Sequence, residues 1–253
     1  MNLRLAVLLT NNDTSPFAAH FPNDGQKVVQ LLQPLRPDWT FEVVPVKDGV
    51  LPASPADFDG YVITGSPASV NDDSLPWVGQ LLDFICAVNA ARQPLVGLCF
   101  GHQAVARALG GQVVRNAAGW GLGTAPTHWQ TTRPWMQPAQ STTTLMAAHN
   151  EQVTRMPEGA VCLGGSDFCP IGSMQIGQHI WTTQFHPRCR WCSCRPCWAS
   201  WPTSSMPKRW LAHTPVWPTP PMCRCLGIGW RNFLNTQGKT SNDRLAPQRR
   251  WPR

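Results

Sequence analysis

The chain alternates short apolar runs with stretches whose apolar residues recur at helical spacing. Leu3–Leu9 is nearly all apolar, and Phe41–Val46, Gly60–Thr64 and Pro94–Leu98 are predominantly so. Runs of this length with little polar alternation predict strands buried on both faces. Between them, Val28, Val29, Leu31 and Leu32 share one helical face, with Asp24 placed to cap it. Val78, Leu81, Leu82, Ile85 and Val88 form a second such face after Ser74, the residue expected to cap that helix. Cys86 sits in this stretch and is expected to be a core thiol. Ala104–Leu109 predicts a third helix, stopped by Gly110 and Gly111.

Strands alternating with helices in this order predict an open, mostly parallel sheet with helices on both faces. The loops after Leu9, Thr64 and Leu98 would then emerge together at the carboxyl ends of the strands, where such sheets bind ligands. After Gly111 the pattern changes. Short strands are expected around Val113 and over Thr124–Trp129, Thr143–Met146, Ala160–Leu163, Ile171–Ile176 and His179–Thr183. Their spacing suggests antiparallel hairpins.

The junction at Leu98 carries the chemistry. Gly97 and Gly101 bracket Cys99 as Gly-x-Cys-x-Gly, between the fourth predicted strand and the third helix. This is a nucleophile elbow with cysteine as the nucleophile. The flanking glycines let the helix pack back on the strand. The helix N-terminus favours a thiolate there, and the next backbone N–H is aimed at a reacting carbonyl oxygen. A cysteine nucleophile needs a base, which can lie far off in sequence. His186 ends the last predicted strand, where a neighbour of the elbow strand would present it. His102 is expected to pack structurally beside the elbow, and His149 to shape a loop.

Charge and cysteine content divide the chain. Residues 1–187 hold 9 Lys and Arg against 13 Asp and Glu, whereas residues 188–253 hold 12 against one acid, Asp243. The net charge of +7 therefore belongs to the last quarter and says nothing of the body's partners. The first apolar run is too short to span a membrane and lacks a small-residue cleavage site before Asn11. We expect a cytoplasmic protein with free body thiols and without a membrane partner.

Gly97-Leu98-Cys99-Phe100-Gly101-His102-Gln103, together with Gln184-Phe185-His186-Pro187, resembles the class I, or triad, glutamine amidotransferase domain. Gly65-Ser66-Pro67 after the third strand fits it, as does Ala148-His149-Asn150-Glu151-Gln152-Val153, similar to that family's Ser-His-x-Asp-x-Val segment. The resemblance covers about residues 3–187 and is nearest to stand-alone members similar to the amidotransferase half of GMP synthase. It implies a flavodoxin-like α/β fold and hydrolysis of the glutamine side-chain amide through a Cys99 thioester. Ammonia would pass to an acceptor, such as a partner synthase. His186 would be the base and then the acid. Gly65, Ser66 and Phe100 would form the oxyanion hole, and Gln103 would help hold glutamine. No cofactor, metal or nucleic acid is implied. Some similar proteins are γ-glutamyl peptidases, which is the runner-up activity. A catalytically dead, binding-only homologue is the alternative from another class.

The pattern breaks directly after Pro187. The family continues with a Glu that orients the histidine, and this chain has Arg188. Residues 188–253 are expected to form an irregular tail, separate from the amidotransferase-like domain over residues 1–187. Seven prolines between Arg188 and Pro221 exclude a long helix there, and the tail holds seven of the thirteen tryptophans and six of the ten cysteines. A shifted reading frame accounts best for so abrupt a change. Two other readings are a metal module on Cys189, Cys192, Cys194 and Cys197, and a basic Trp-rich arm for nucleic acid or an acidic partner.

Overall fold

The computed structural model describes residues 2–186. Arg188, the tail cysteines and the tail's expected irregularity lie outside the described residues.

Eleven strands and three α-helices make up the described chain. The strands are β1 (Arg4–Leu8), β2 (Thr40–Val44), β3 (Gly60–Ile63), β4 (Leu95–Leu98), β5 (Gln112–Arg115), β6 (Gly121–Trp129), β7 (Thr142–His149), β8 (Glu151–Arg155), β9 (Ala160–Gly165), β10 (Ser173–Ile176) and β11 (Ile180–Thr183). The helices are α1 (Asp24–Leu32), α2 (Pro76–Ala90) and α3 (Phe100–Ala108). Nine strands form one sheet in the order β2-β1-β3-β4-β11-β10-β9-β6-β7, and β5 pairs with β8 apart from it. The first five in that order are mutually parallel and the rest antiparallel. The expected mostly parallel sheet with an antiparallel region is the observed one. β11 is the seam, parallel to β4 on one side and antiparallel to β10 on the other.

The parallel strands bury both faces, as their unbroken apolar runs require. Ala6, Leu8 and Ile63 meet α2 and α3 on one face, while Leu5, Val7 and Val62 meet α1 on the other. The helices start where local chemistry satisfies their free N–H groups. Asn23, not Asp24, caps α1. Its side chain accepts from Gln26 N–H, and the Gln26 side chain accepts from Asn23 N–H. α2 starts at Pro76 without a side-chain cap, and Ser74 does not serve as one. The core face of α2 runs through Trp77, Val78, Leu81, Phe84, Ile85 and Val88. Cys86 falls off that stripe and is exposed, so the expectation of a core thiol is corrected. The four cysteines among the described residues are free, and no described helix is long and apolar enough to cross a membrane.

The two elbow glycines are close-packing positions. A Cβ on Gly97 would lie 2.6 Å from Gly101 O, and one on Gly101 would lie 2.7 Å from Ile63 O. Any side chain at either site would push α3 off the sheet. On the same helix, His102 is fully buried and joins α3 to β11. Its Nε2 lies 3.1 Å from Ile171 O and its Nδ1 2.8 Å from Thr182 Oγ1. Because a carbonyl only accepts, Nε2 carries the proton and Nδ1 accepts from Thr182. The structural role expected of His102 is the one seen.

Burial pushes the His102 pKa down to about 3. The unfolded chain therefore binds a proton that the folded one refuses between its ordinary value near 6.5 and 3. Stability is full above that upper limit and falls as pH drops through the window. Denaturation midpoints measured from pH 8 to pH 4 should be flat at first and then decline below about pH 6.5, more steeply in the native chain than in His102→Gln.

Candidate active site

The chain reverses at Cys99. Its φ of 50° and ψ of −102° leave it at positive φ, a conformation costly for any side-chain-bearing residue. The strain is held because β4 ends in the sheet at Leu98, Cys99 N–H donates to Thr183 O at 2.8 Å, and α3 begins at Phe100. The result places the thiol at the N-terminus of α3, at the carboxyl edge of the parallel strands.

The loops expected to meet there do. Thr10, after β1, donates from its hydroxyl to Thr64 O at 3.0 Å, and its N–H donates to Thr64 Oγ1 at 3.0 Å. Gly65 lies between the two candidate reacting side chains. A Cβ built on it would stand 3.4 Å from His186 Cε1, 3.5 Å from Cys99 Cβ and 4.0 Å from Cys99 Sγ. The absence of a side chain at Gly65 thus leaves room for both. Ser66 follows at the rim, with Oγ 3.4 Å from Asn12 Oδ1. Cys99 and His186 are therefore brought together beside Gly65, with Phe100 and Ser66 next to them along the chain.

β11 is the parallel neighbour of β4, the arrangement expected from the sequence. It carries His186 just beyond its end, where His186 N–H donates to Met146 O of β7 at 2.8 Å. His186 Nε2 is buried without a hydrogen-bond partner among the described residues. Gln184, two residues earlier and so on the same side of the extended chain, has Nε2 3.6 Å from Cys99 Sγ. Gln103 Nε2 donates to Gln184 Oε1 at 3.1 Å and to Glu151 O at 2.8 Å. Gln103 therefore braces Gln184 against the thiol through its side-chain amide.

Sequence reasoning gave no role to Gln184 or Arg107, and read Glu151 only as part of a His149–Val153 segment resembling a glutamine pocket. Ser69 Oγ lies 2.9 and 2.8 Å from the two Glu151 carboxylate oxygens. Arg107 of α3 donates to Val70 O, to Asn71 Oδ1 at 2.8 Å and to Asp73 Oδ1 at 3.1 Å. Together they pin the loop that follows Gly65 to β8 and α3. The positions of Gln184 and Glu151 within quoted motifs were the available signal. His149 is buried, and neither ring nitrogen has a partner among the described residues.

Burial dominates the electrostatics. It pushes the Cys99 thiol up to about 12, with Asp24 adding to the rise, while hydrogen bonds from Phe100 N–H and Gln184 work against it. Burial also lowers the His186 pKa; the Asp24 carboxylate opposes this and Lys27 reinforces it. At neutral pH the resting pair is a neutral thiol beside a neutral imidazole. Such a pair can act when substrate arrives, the imidazole taking the thiol proton as sulfur attacks. No group of three or more His, Cys, Asp or Glu that could hold a metal ion occurs among the described residues.

The family model for class-I glutamine amidotransferases matches residues 28–190, and the chain belongs to that family. It is 28% identical over 136 residues to γ-glutamyl peptidase 3 of Arabidopsis thaliana, covering 51% of this chain and 54% of that protein. It is 28% identical over 135 residues to the glutamine-hydrolysing GMP synthase of Streptococcus mutans, covering 52% of this chain and 25% of that protein. The match thus spans about half of the first relative's length and a quarter of the second's. A glutamine amidotransferase from Thermotoga maritima shares the fold, with a TM-score of 0.70, 15% identity, 94% of this chain covered and 98% of that one.

The resting protonation state separates two kinds of reagent. Iodoacetamide, which needs a free thiolate, should label exposed Cys86 well before Cys99 at pH 7.5. A glutamine-shaped chloroketone, bound beside Cys99 first, should label Cys99 ahead of Cys86, Cys162 and Cys169. Mass mapping of both labels checks this, and chloroketone labelling led by Cys162 would defeat the assignment.

Proposed function

We propose that this chain hydrolyses the amide of a γ-glutamyl group through a thioester on Cys99, with glutamine as the smallest substrate and ammonia as its leaving group. The observation that carries the reading is the placement of Cys99, in a positive-φ elbow, and His186 against the same face of Gly65. His186 takes the thiol proton as Sγ attacks the amide carbon. The developing oxyanion is received by Phe100 N–H and the Gly65-Ser66 backbone. His186 then gives its proton to the departing nitrogen, and water resolves the thioester by the reverse route. Gln103 acts through Gln184 as well as toward substrate. The released ammonia passes to an acceptor or a partner synthase; one relative is named a glutamine-hydrolysing GMP synthase.

Arg188 bears on the rate. It stands where the family resemblance implies the Glu that orients the base. A guanidinium there disfavours the imidazolium that must form, and the lost carboxylate leaves the ring tautomer unset. We infer weak activity in the chain as written.

Ammonia release from glutamine should be measurable, slow, and abolished in Cys99→Ser. Arg188→Glu should raise kcat, toward the roughly 10⁴-fold that an orienting carboxylate contributes in a comparable triad. Equal ammonia release by the native and Cys99→Ser chains would refute the hydrolytic reading. An unchanged kcat in Arg188→Glu would refute the role given to position 188 alone.

A further inference from the structure

The loop after β1 ties the start of α1 to the reacting pair. Thr10 Oγ1 lies 3.2 Å from Gly65 O, and Asn12 Oδ1 lies 3.4 Å from Ser66 Oγ. Asn11, between them, donates from Nδ2 to Asp24 Oδ2 at 2.8 Å. The other carboxylate oxygen of Asp24 lies 2.7 Å from Lys27 Nζ, one turn further along α1. Gly65 in turn is the residue whose Cβ position stands 3.4 Å from His186 Cε1 and 3.5 Å from Cys99 Cβ. A carboxylate held at two oxygens is thus fixed beside the segment that flanks both reacting side chains.

Its charge reaches them. Asp24 works against the burial that makes His186 a weak base, and it adds to the rise at Cys99. Lys27 opposes Asp24 at His186, but less strongly. The carboxylate therefore outweighs its own ion partner at the site. The other titratable groups around His186 carry no charge at neutral pH. Cys99 at the elbow is held up to about 12, and burial pushes His149 of β7 down to about 4. The Glu151 carboxylate is engaged with Ser69, and Arg188 lies outside the described residues.

We propose that Asp24 is the positioning carboxylate of this site, its negative charge steadying the imidazolium that His186 becomes on taking the thiol proton. The proposal rests on the reading of Cys99 and His186 as the hydrolytic pair. As the C–S bond forms, the thiol proton passes to His186 and the carbonyl electron pair moves onto oxygen. Sulfur ends neutral, so the repulsion between Asp24 and a thiolate is brief. The imidazolium lasts until the amide nitrogen takes the proton and the C–N bond breaks. Throughout that interval a fixed anion nearby lowers its energy. Asp24 acts through His186 alone, and supplies from α1 part of the negative charge that Arg188 removes from the position after Pro187.

The experiment reads His186 in the full chain carrying ¹⁵N-labelled histidine. Its ring resonances, assigned by their loss in His186→Gln, are followed from pH 8 to pH 4. His186 should hold its proton about three- to tenfold more weakly in Asp24→Asn. It should hold it more tightly in Lys27→Gln, and as in the native chain in Asp24→Glu. Opposite signs are the mark of charge, since a loosened α1 would move both variants alike. The kcat/KM for glutamine should fall in Asp24→Asn by a similar factor, its acid limb should move to lower pH, and Asp24→Glu should restore both. An unmoved His186 in Asp24→Asn, or shifts of one sign in Asp24→Asn and Lys27→Gln, overturns the proposal. The expected shifts support it even if the native chain releases no ammonia, an outcome in which the hydrolytic reading fails instead.

Discussion

The close approach of α3 to the sheet governs this molecule. Gly97 and Gly101 have backbone atoms of neighbouring segments where other residues would carry a Cβ, and that contact forces the reversal at Cys99. Positive φ at a cysteine is unfavourable by itself. It persists because Leu98 is fixed in the sheet on one side and Phe100 is fixed in a helix on the other. The same approach sets His102 against β11 and so aligns the strand that delivers His186. The position of the thiol, its place at a helix terminus and the approach of His186 all depend on two missing side chains.

Much of this was legible along the chain because it depends on local chemistry. Unbroken apolar runs give strands buried on both faces, and the glycine spacing at the elbow has a steric cause visible in sequence. His186 was legible from its place at the end of a predicted strand. What escaped depends on neighbours distant in sequence. β8 was not expected because Glu151-Gln152-Val153 has no alternation of its own, and its pairing with β5 supplies the order. Gln184 gains its part only when Gln103, from another element, holds its oxygen. Cys86 was misjudged because α2 has a wide apolar stripe, and a small polarisable side chain can sit on either border of it. The cap of α1 shifted by one residue because a reciprocal Asn-Gln pair satisfies two N–H groups where Asp24 would satisfy one.

The site combines tight anchoring with a neutral resting state. Ser69, Glu151 and Arg107 hold the loop beside Gly65 from two elements, so the backbone proposed to receive an oxyanion is anchored in advance. Burial meanwhile keeps thiol and imidazole uncharged. The two facts belong together, since an ion pair in so dry a place would carry a heavy desolvation cost. In the proposed reaction, charge is created only when a carbonyl oxygen is present to take it.

The hydrogen bond between His186 N–H and Met146 O has a mechanical consequence. β7 lies at one end of the nine-strand order, yet it touches the segment leaving β11, four places away. The antiparallel half must therefore curl until its last strand meets its first, forming a partial barrel whose closing stave is the backbone of His186. His186 is thus part of the wall that closes this curl. A shift in any of the staves between β11 and β7 would be transmitted to the histidine, so residues far from the thiol can tune its partner by changing the circumference of the curl.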